Sequence, residues 1–241
     1  MTNHRPRPRH LPALVIASTM TMARMMTMTV MTVLLACGPA PAPRDPAPDP
    51  TSTVTPVTDV PVILALGDSL TAGLGLAQSQ AWPTLVQAKL KAAGHRHRVV
   101  NAGVSGDTSA GGLARLDWQL SQKPAIVVLE LGGNDGLRGL PVAHTRDNLA
   151  KTIQRCQAAG ATVLLAGMQI PPNMGPDYTA AFRELFPSLA EEFKVPLIPF
   201  LLEGVAGDIK LNQRDGIHPT AEGQAIVAET VWKSLQPLLA N

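Results

Sequence analysis

The sequence predicts a single three-layer α/β/α domain with a five-stranded parallel sheet, running from about residue 60 to the end of the 241-residue chain. Short apolar runs rich in β-formers alternate with longer segments whose apolar residues follow helical spacing. The short runs are continuously apolar, which is typical of parallel strands covered on both faces. With 45% hydrophobic residues, the chain can bury one substantial core.

The predicted strands and helices alternate along the chain. The strands are residues 60–66, 99–100, 126–131, 162–166 and 195–200. The helices lie at about residues 82–90, 112–120, 142–159, 178–193 and 221–239. In the first helix, for example, Trp82, Leu85 and Val86 share one helical face. Such an order brings the carboxyl ends of the strands to one edge of the sheet, where ligands gather in folds of this class.

Residues 1–36 have the composition of an export signal. They contain four arginines, no acidic residue and an apolar stretch that ends in Leu-Leu-Ala before Cys37. The pattern resembles a bacterial lipoprotein signal, in which cleavage before the cysteine frees it to carry lipid. A signal peptide with an incidental cysteine and an uncleaved membrane anchor are the alternatives. We therefore expect export to the periplasmic face of the cell envelope, with a lipid anchor at Cys37 in the outer rather than the inner membrane.

Residues 37–59 form the predicted tether between the anchor and the domain at residues 60–241. Eight prolines stand between positions 38 and 61, among Ala, Thr and Asp, a composition that favours an extended chain without a core. Without residues 1–36, 16 basic residues face 18 acidic ones, so the net charge changes from +2 to −2. No basic stripe interleaved with aromatic residues remains, and binding to nucleic acid is not expected.

Ser69, Asp215 and His218 are candidates for a hydrolytic triad. A serine hydroxyl becomes a good nucleophile when an imidazole takes its proton, and the imidazole needs a carboxylate to fix its tautomer. Asp215 and His218 stand three apart, so one turn of chain can join them. Two alternatives remain: residues 67–70 can be a turn that caps the next helix, and Asp215 can cap the last helix with His218 on the surface.

Four short blocks surround these candidates in order. They are Gly-Asp-Ser-Leu at residues 67–70, Asn-Ala-Gly at 101–103, Gly-Gly-Asn-Asp at 132–135 and Asp-Gly-Ile-His at 215–218. Position 71 is Thr, so the first block is not the Gly-x-Ser-x-Gly elbow of α/β-hydrolases. The blocks resemble those of the SGNH, or GDSL, hydrolases, and within that family the bacterial thioesterase/protease/lysophospholipase group and related arylesterases. The resemblance covers about residues 61–239.

The resemblance implies a flavodoxin-like arrangement of the sheet and a role for each matching residue. Ser69 is then the nucleophile, His218 the general base and then acid, and Asp215 the acid that orients it. The oxyanion hole is then formed by the backbone N–H groups of Ser69 and Gly103 and by the side-chain amide of Asn134. No cofactor or metal is implied.

An apolar lining for the acyl chain of a substrate is expected from Leu70, Leu74, Leu76, Leu137, Leu140 and residues 170–174, with Leu70, Leu137 and Ile170 as the binding residues. Single apolar residues of this kind are often ordinary core. We expect a monomeric serine esterase that hydrolyses aryl or acyl esters, lysophospholipids and acyl thioesters through an acyl-enzyme. The alternatives are a carbohydrate acetyl esterase and a non-catalytic lipoprotein that binds lipid or glycan through a decayed site. The intact Ser, Asp and His disfavour decay.

Overall fold

A computed structural model describes residues 60–239, so the predicted signal, the tether and Cys37 lie outside the described residues. The strands are Val62–Gly67 (β1), Arg98–Gly103 (β2), Ile126–Glu130 (β3), Thr162–Ala166 (β4) and Leu197–Ile198 (β5). Every neighbouring pair is parallel, in the order β2-β1-β3-β4-β5. The predicted five-stranded parallel sheet is confirmed.

Helices follow the strands and cover both faces of this sheet. Their bounds are Ser69–Ala72 (α1), Trp82–Ala92 (α2), Ser109–Ala114 (α3), Leu116–Leu120 (α4), Gly133–Leu137 (α5), Val142–Ala158 (α6), Pro176–Phe193 (α7) and Ala221–Leu235 (α8). α2 packs against α8, and α6 packs against α3 and α7. The two groups form the outer layers around the sheet. Within residues 60–239, no helix is both long enough and apolar enough to cross a membrane.

Several boundaries differ from the prediction. β5 has only two residues instead of six, because Pro196 and Pro199 flank it and proline cannot donate to the ladder. The predicted helix at 112–120 is divided into α3 and α4 at Arg115, whose backbone leaves the helical region. Apolar spacing continues across such breaks, so periodicity alone could not place them.

The core lies on both sides of the three central strands. Every residue of β1 and β3 is buried, as are the last four residues of β4. Trp82, Phe182 and Phe186 are the bulkiest side chains among those almost fully enclosed. β1 stands between β2 and β3, and its last residue, Gly67, is paired with Gly103 on one side and Glu130 on the other. The loops that carry the first three sequence blocks therefore leave the sheet at the same level.

Candidate active site

The tight turn after β1 places Ser69 at the first position of α1. Asp68 caps this helix, since its Oδ1 accepts a hydrogen bond from the Leu70 backbone N–H at 2.9 Å. A Cβ at position 67 would lie 2.1 Å from Thr71 Oγ1 and 2.4 Å from Glu130 Oε2. Only glycine fits this position, and the close approach fixes the direction in which the chain enters α1.

Ser69, His218 and Asp215 form one hydrogen-bonded chain. Ser69 Oγ lies 2.8 Å from His218 Nε2, and His218 Nδ1 lies 2.7 Å from Asp215 Oδ2. A carboxylate beside Nδ1 favours the tautomer with its proton on that atom, which leaves Nε2 free to accept the serine proton. The arrangement can therefore generate an alkoxide-like nucleophile at Ser69.

The Asp215 carboxylate is held by its own turn. Its Oδ1 accepts the backbone N–H groups of Ile217 at 3.0 Å and His218 at 3.1 Å. The hydrogen bond from the Ile217 backbone, followed by those from the side chain and backbone of His218, lowers the pKa of Asp215 to about 2. The last helix begins at Ala221 with Thr220 as its cap, so the alternative in which Asp215 caps that helix is wrong.

Asn134, at the start of α5, presents its side-chain amide beside Ser69. The Nδ2 group donates to Asp68 Oδ2 at 3.0 Å and to the backbone carbonyl of Asp107 at 2.9 Å. Both amide hydrogens thus have an acceptor in this structure. The backbone N–H of Ser69, in contrast, has no acceptor among residues 60–239.

Of the three residues predicted to form the oxyanion hole, Gly103 is the one that lies outside the lining of the pocket beside Ser69. Its N–H donates to Asn101 Oδ1 at 2.9 Å. A Cβ here would lie 2.2 Å from the backbone nitrogen of Ala72. Glycine at position 103 therefore lets α1 pack against the end of β2.

An apolar pocket of about 650 Å³ opens beside the triad. Leu70, Leu137 and Ile170 line it, whereas Leu74, Leu76 and Leu140, which the sequence also suggested, do not. Sequence reasoning missed several other lining residues: Phe200, Leu202, Ala206, Gly207 and Ile217. Most of them lie in the long, non-periodic segment before α8. Their position after the last strand, at the same edge of the sheet, was the available signal.

Two observations outside the triad concern the thiol of Cys156 and clusters of potential metal ligands. Cys156 is buried in α6, and burial raises the pKa of its thiol to about 11, so it packs as a neutral side chain. Among residues 60–239, no three His, Cys, Asp or Glu side chains come together closely enough to hold a metal ion.

Comparison with known proteins adds to this geometry. The model of a family described as GDSL-like lipase/acylhydrolase matches residues 65–226. The esterase TesA of Pseudomonas aeruginosa is 52% identical over 178 residues, which cover 73% of this chain and 89% of that protein. The thioesterase 1/protease 1/lysophospholipase L1 of Escherichia coli K12 is 46% identical over 178 residues, with 73% and 84% covered. A crystal structure of TesA, 52% identical, superposes with a TM-score of 0.72 over 74% of this chain and 99% of that one.

Proposed function

This chain belongs to the GDSL-like lipase/acylhydrolase family and is a carboxylic-ester hydrolase, and we propose that it works through an acyl-enzyme formed on Ser69. The observation that carries the mechanism is the continuous chain of hydrogen bonds from Ser69 through His218 to Asp215, at the mouth of an apolar pocket. It combines a nucleophile, a base and an orienting carboxylate with a site for an acyl chain.

The reaction has two halves. Ser69 Oγ attacks the ester carbonyl while His218 Nε2 takes the hydroxyl proton, and Asp215 stabilises the resulting imidazolium. The imidazolium then gives this proton to the leaving oxygen, the alcohol departs, and the acyl group remains as an ester on Ser69. In the second half His218 takes a proton from water, the hydroxide attacks the acyl ester, and the proton returns to Ser69 as the carboxylic acid leaves.

The tetrahedral oxyanion of each half is bound by the Ser69 backbone N–H and the Asn134 amide. Within residues 60–239 the Ser69 N–H has no acceptor, whereas the Asn134 amide has to give up its hydrogen bond to Asp68 or to Asp107 in order to donate to the oxyanion. For the Gly103 N–H to serve as the third donor, it has to exchange its bond to Asn101 Oδ1 for one to the oxyanion. An interaction that becomes strong only when negative charge develops lowers the barrier rather than tightening substrate binding.

The proposed substrates are esters with a single medium-length acyl chain, including aryl esters, lysophospholipids and acyl thioesters. The mainly apolar wall of the pocket supports an acyl chain, and the name of the E. coli relative includes thioesterase and lysophospholipase. Each buried methylene adds about 0.8 kcal/mol of binding. Two-chain phospholipids and acetylated glycans are expected to be poor substrates, because one pocket serves one chain and an acetyl group fills little of it.

A substitution in the pocket wall tests this substrate proposal. For the wild type, we expect kcat/KM to be more than about tenfold higher for medium-chain p-nitrophenyl esters than for the acetyl ester. The variant Leu137→Asp should lower kcat/KM for the octanoyl ester about tenfold, because it places a carboxylate beside the acyl chain. The matched control is Leu140→Asp, because Leu140 is about as exposed (37% against 39%) and does not line the pocket.

The measurement is a kcat/KM series from acetyl to palmitoyl esters, run beside acetylated xylan. Equal losses in the two Leu→Asp variants would contradict the assignment of Leu137 to the acyl site. A preference for the glycan acetyl ester would favour the carbohydrate-esterase alternative and exclude the acyl-chain proposal.

We also propose that the enzyme is exported and anchored by lipid at Cys37 to the periplasmic face of the envelope, in the outer membrane. The supporting features are the acid-free, arginine-containing residues 1–36 and the Leu-Leu-Ala-Cys sequence at their end. Several acyl chains on one cysteine give stable anchoring, whereas one chain binds marginally. Mass spectrometry of the native N-terminus should find a lipid-modified Cys37, and an unmodified Cys37 or a different mature start would exclude the anchor.

A further inference from the structure

Two carboxyl groups lie buried directly behind the nucleophile, and the mechanism above uses neither of them. Asp68 precedes Ser69, and Glu130 is the last residue of β3; they are 2% and 0% exposed. Glu130 Oε2 accepts the Asp68 backbone N–H at 3.1 Å and the Thr71 hydroxyl at 2.8 Å. Its other oxygen, Oε1, is buried and has no donor among residues 60–239.

Asp68 is placed between Glu130 and the catalytic groups. Its Oδ1 accepts the Leu70 backbone N–H and its Oδ2 accepts the Asn134 amide, while its own backbone N–H donates to Glu130 Oε2. Two adjacent carboxylates without a proton would repel each other in a site that excludes water. A single proton on Glu130 Oε1, the oxygen that has no donor in the described part of the chain, removes this conflict because only one of the two groups then carries a charge.

We propose that Glu130 is a neutral acid whose proton, on Oε1, is donated to the Asp68 carboxylate, and that it is thereby a positioning residue for Asn134. The turn around Ser69 and the amide of Asn134 are then held by one continuous set of hydrogen bonds. Glu130 itself touches no substrate. The role rests on the proposed function of Asn134 as an oxyanion donor.

The electrostatics of the pair agree with this distribution of the proton. Burial, followed by the charge of Asp68, raises the pKa of Glu130 well above its usual range. Burial also raises the pKa of Asp68, but hydrogen bonds from Leu70, Glu130 and Asn134 and the charge of His218 oppose the rise. The other charged groups near the turn are Arg115, whose Nη2 donates to the Gly67 carbonyl, and its partner Asp107. A negative Asp68 also favours the imidazolium that His218 becomes during the reaction.

The kinetic constants of three variants distinguish a role of Glu130 in positioning Asn134 from a role in merely stabilising the turn around Ser69. Glu130→Leu removes every bond of this side chain and should lower kcat on the order of 10², with KM little changed, because Asn134 loses its fixed place. Glu130→Gln keeps an acceptor for Asp68 N–H and Thr71 and an N–H donor toward Asp68, so it should restore most of kcat. Thr71→Val removes one donor to Oε2 and leaves the proton toward Asp68 untouched, so its loss should be much smaller.

A loss in Thr71→Val as large as that in Glu130→Leu would show that Glu130 only holds the turn, and would overturn the proposal. A rise in KM in place of a fall in kcat would do the same. Circular dichroism and melting curves identify a variant that fails to fold. Since Glu130→Leu is the one at risk, a second measurement is made on the wild type and Glu130→Gln.

Infrared spectra at pH 7, compared as the difference between the wild type and each variant, report the proton on Glu130 directly. We expect the carbonyl band of a protonated carboxylic acid in the wild type, its loss in Glu130→Gln and its retention in Ser69→Ala. Absence of the band, or its survival in Glu130→Gln, would overturn the assignment of the proton to Glu130. This readout does not depend on turnover, so it remains decisive even if the acyl-enzyme mechanism fails.

Discussion

Replacement of Ser69 by alanine is expected to lower kcat on the order of 10⁶, the scale seen when the nucleophile of a serine hydrolase is removed. The variant has no oxygen to carry the acyl group, so both halves of the reaction lose their intermediate. The fold should be unaffected. In the part of the chain that the structure describes, the Ser69 hydroxyl has one partner, His218 Nε2. Position 69 lies in α1, where alanine is a favourable residue.

Esterase activity and labelling by a fluorophosphonate, which reacts with activated serines, measure this effect together. The wild type should give one adduct at Ser69, and Ser69→Ala should give none while keeping its melting temperature. Ser188→Ala is the matched control, since among the described residues its hydroxyl bonds only to the Leu185 carbonyl within α7, and Ser188 does not line the pocket. Near-normal hydrolysis by Ser69→Ala, or an adduct on another serine in that variant, would refute the mechanism.

The sequence predicted the sheet from local patterns, and it predicted the residues of the triad from the four short blocks and their order. Continuous apolar runs identify buried parallel strands, and the spacing of Asp215 and His218 already permits their contact. The predicted strand at residues 195–200 is longer than β5 because Val195 and Phe200 continue the apolar run on both sides of it. The apolar pattern does not register the prolines that flank β5. Proline positions were the information needed there.

Long-range polar contacts could not be predicted in the same way. Asn134 was predicted to face the oxyanion, and the structure adds that its amide is already bonded to Asp68 and Asp107. Nothing in the spacing of those residues indicates which oxygens meet the amide. Glu130 did leave a signal, because an acidic side chain at the end of an otherwise apolar strand must be exposed, paired or protonated. The apolar pattern that predicts the strand does not indicate which of these three states Glu130 adopts.

Replacement of Asp215 by asparagine is expected to lower kcat by about 10³ to 10⁴ while leaving KM and the fold nearly unchanged. The local bonds explain why. Oδ1 of residue 215 accepts two backbone N–H groups, and an asparagine carbonyl oxygen can keep both. The amide nitrogen then takes the place of Oδ2, 2.7 Å from His218 Nδ1, and donates to it.

This donation inverts the tautomer of His218. Its proton moves to Nε2, which then donates to Ser69 Oγ and cannot accept the serine proton, and the imidazolium of the transition state loses its counter-charge. Steady-state kinetics with a p-nitrophenyl ester measure the loss. Asp208→Asn is the control, because Asp208 lies in the same loop and its carboxylate caps the Lys210 N–H without touching His218. Activity within tenfold of the wild type in Asp215→Asn would exclude Asp215 as the orienting acid.

The acid side of the wild-type pH profile provides a second check on Asp215. Because its folded-state pKa is about 2, below the ordinary value of 3.8, the carboxylate stays ionised until the pH falls toward 2. Any loss of kcat/KM between pH 7 and pH 4 must therefore come from protonation of another group in the free enzyme. If Asp215 orients His218 as proposed, any activity that the wild type loses at pH 4 and the slow turnover of Asp215→Asn at pH 7 have different causes. Raising the pH to 7 should then restore the wild type fully, whereas the variant remains slow at that pH because its carboxylate is absent.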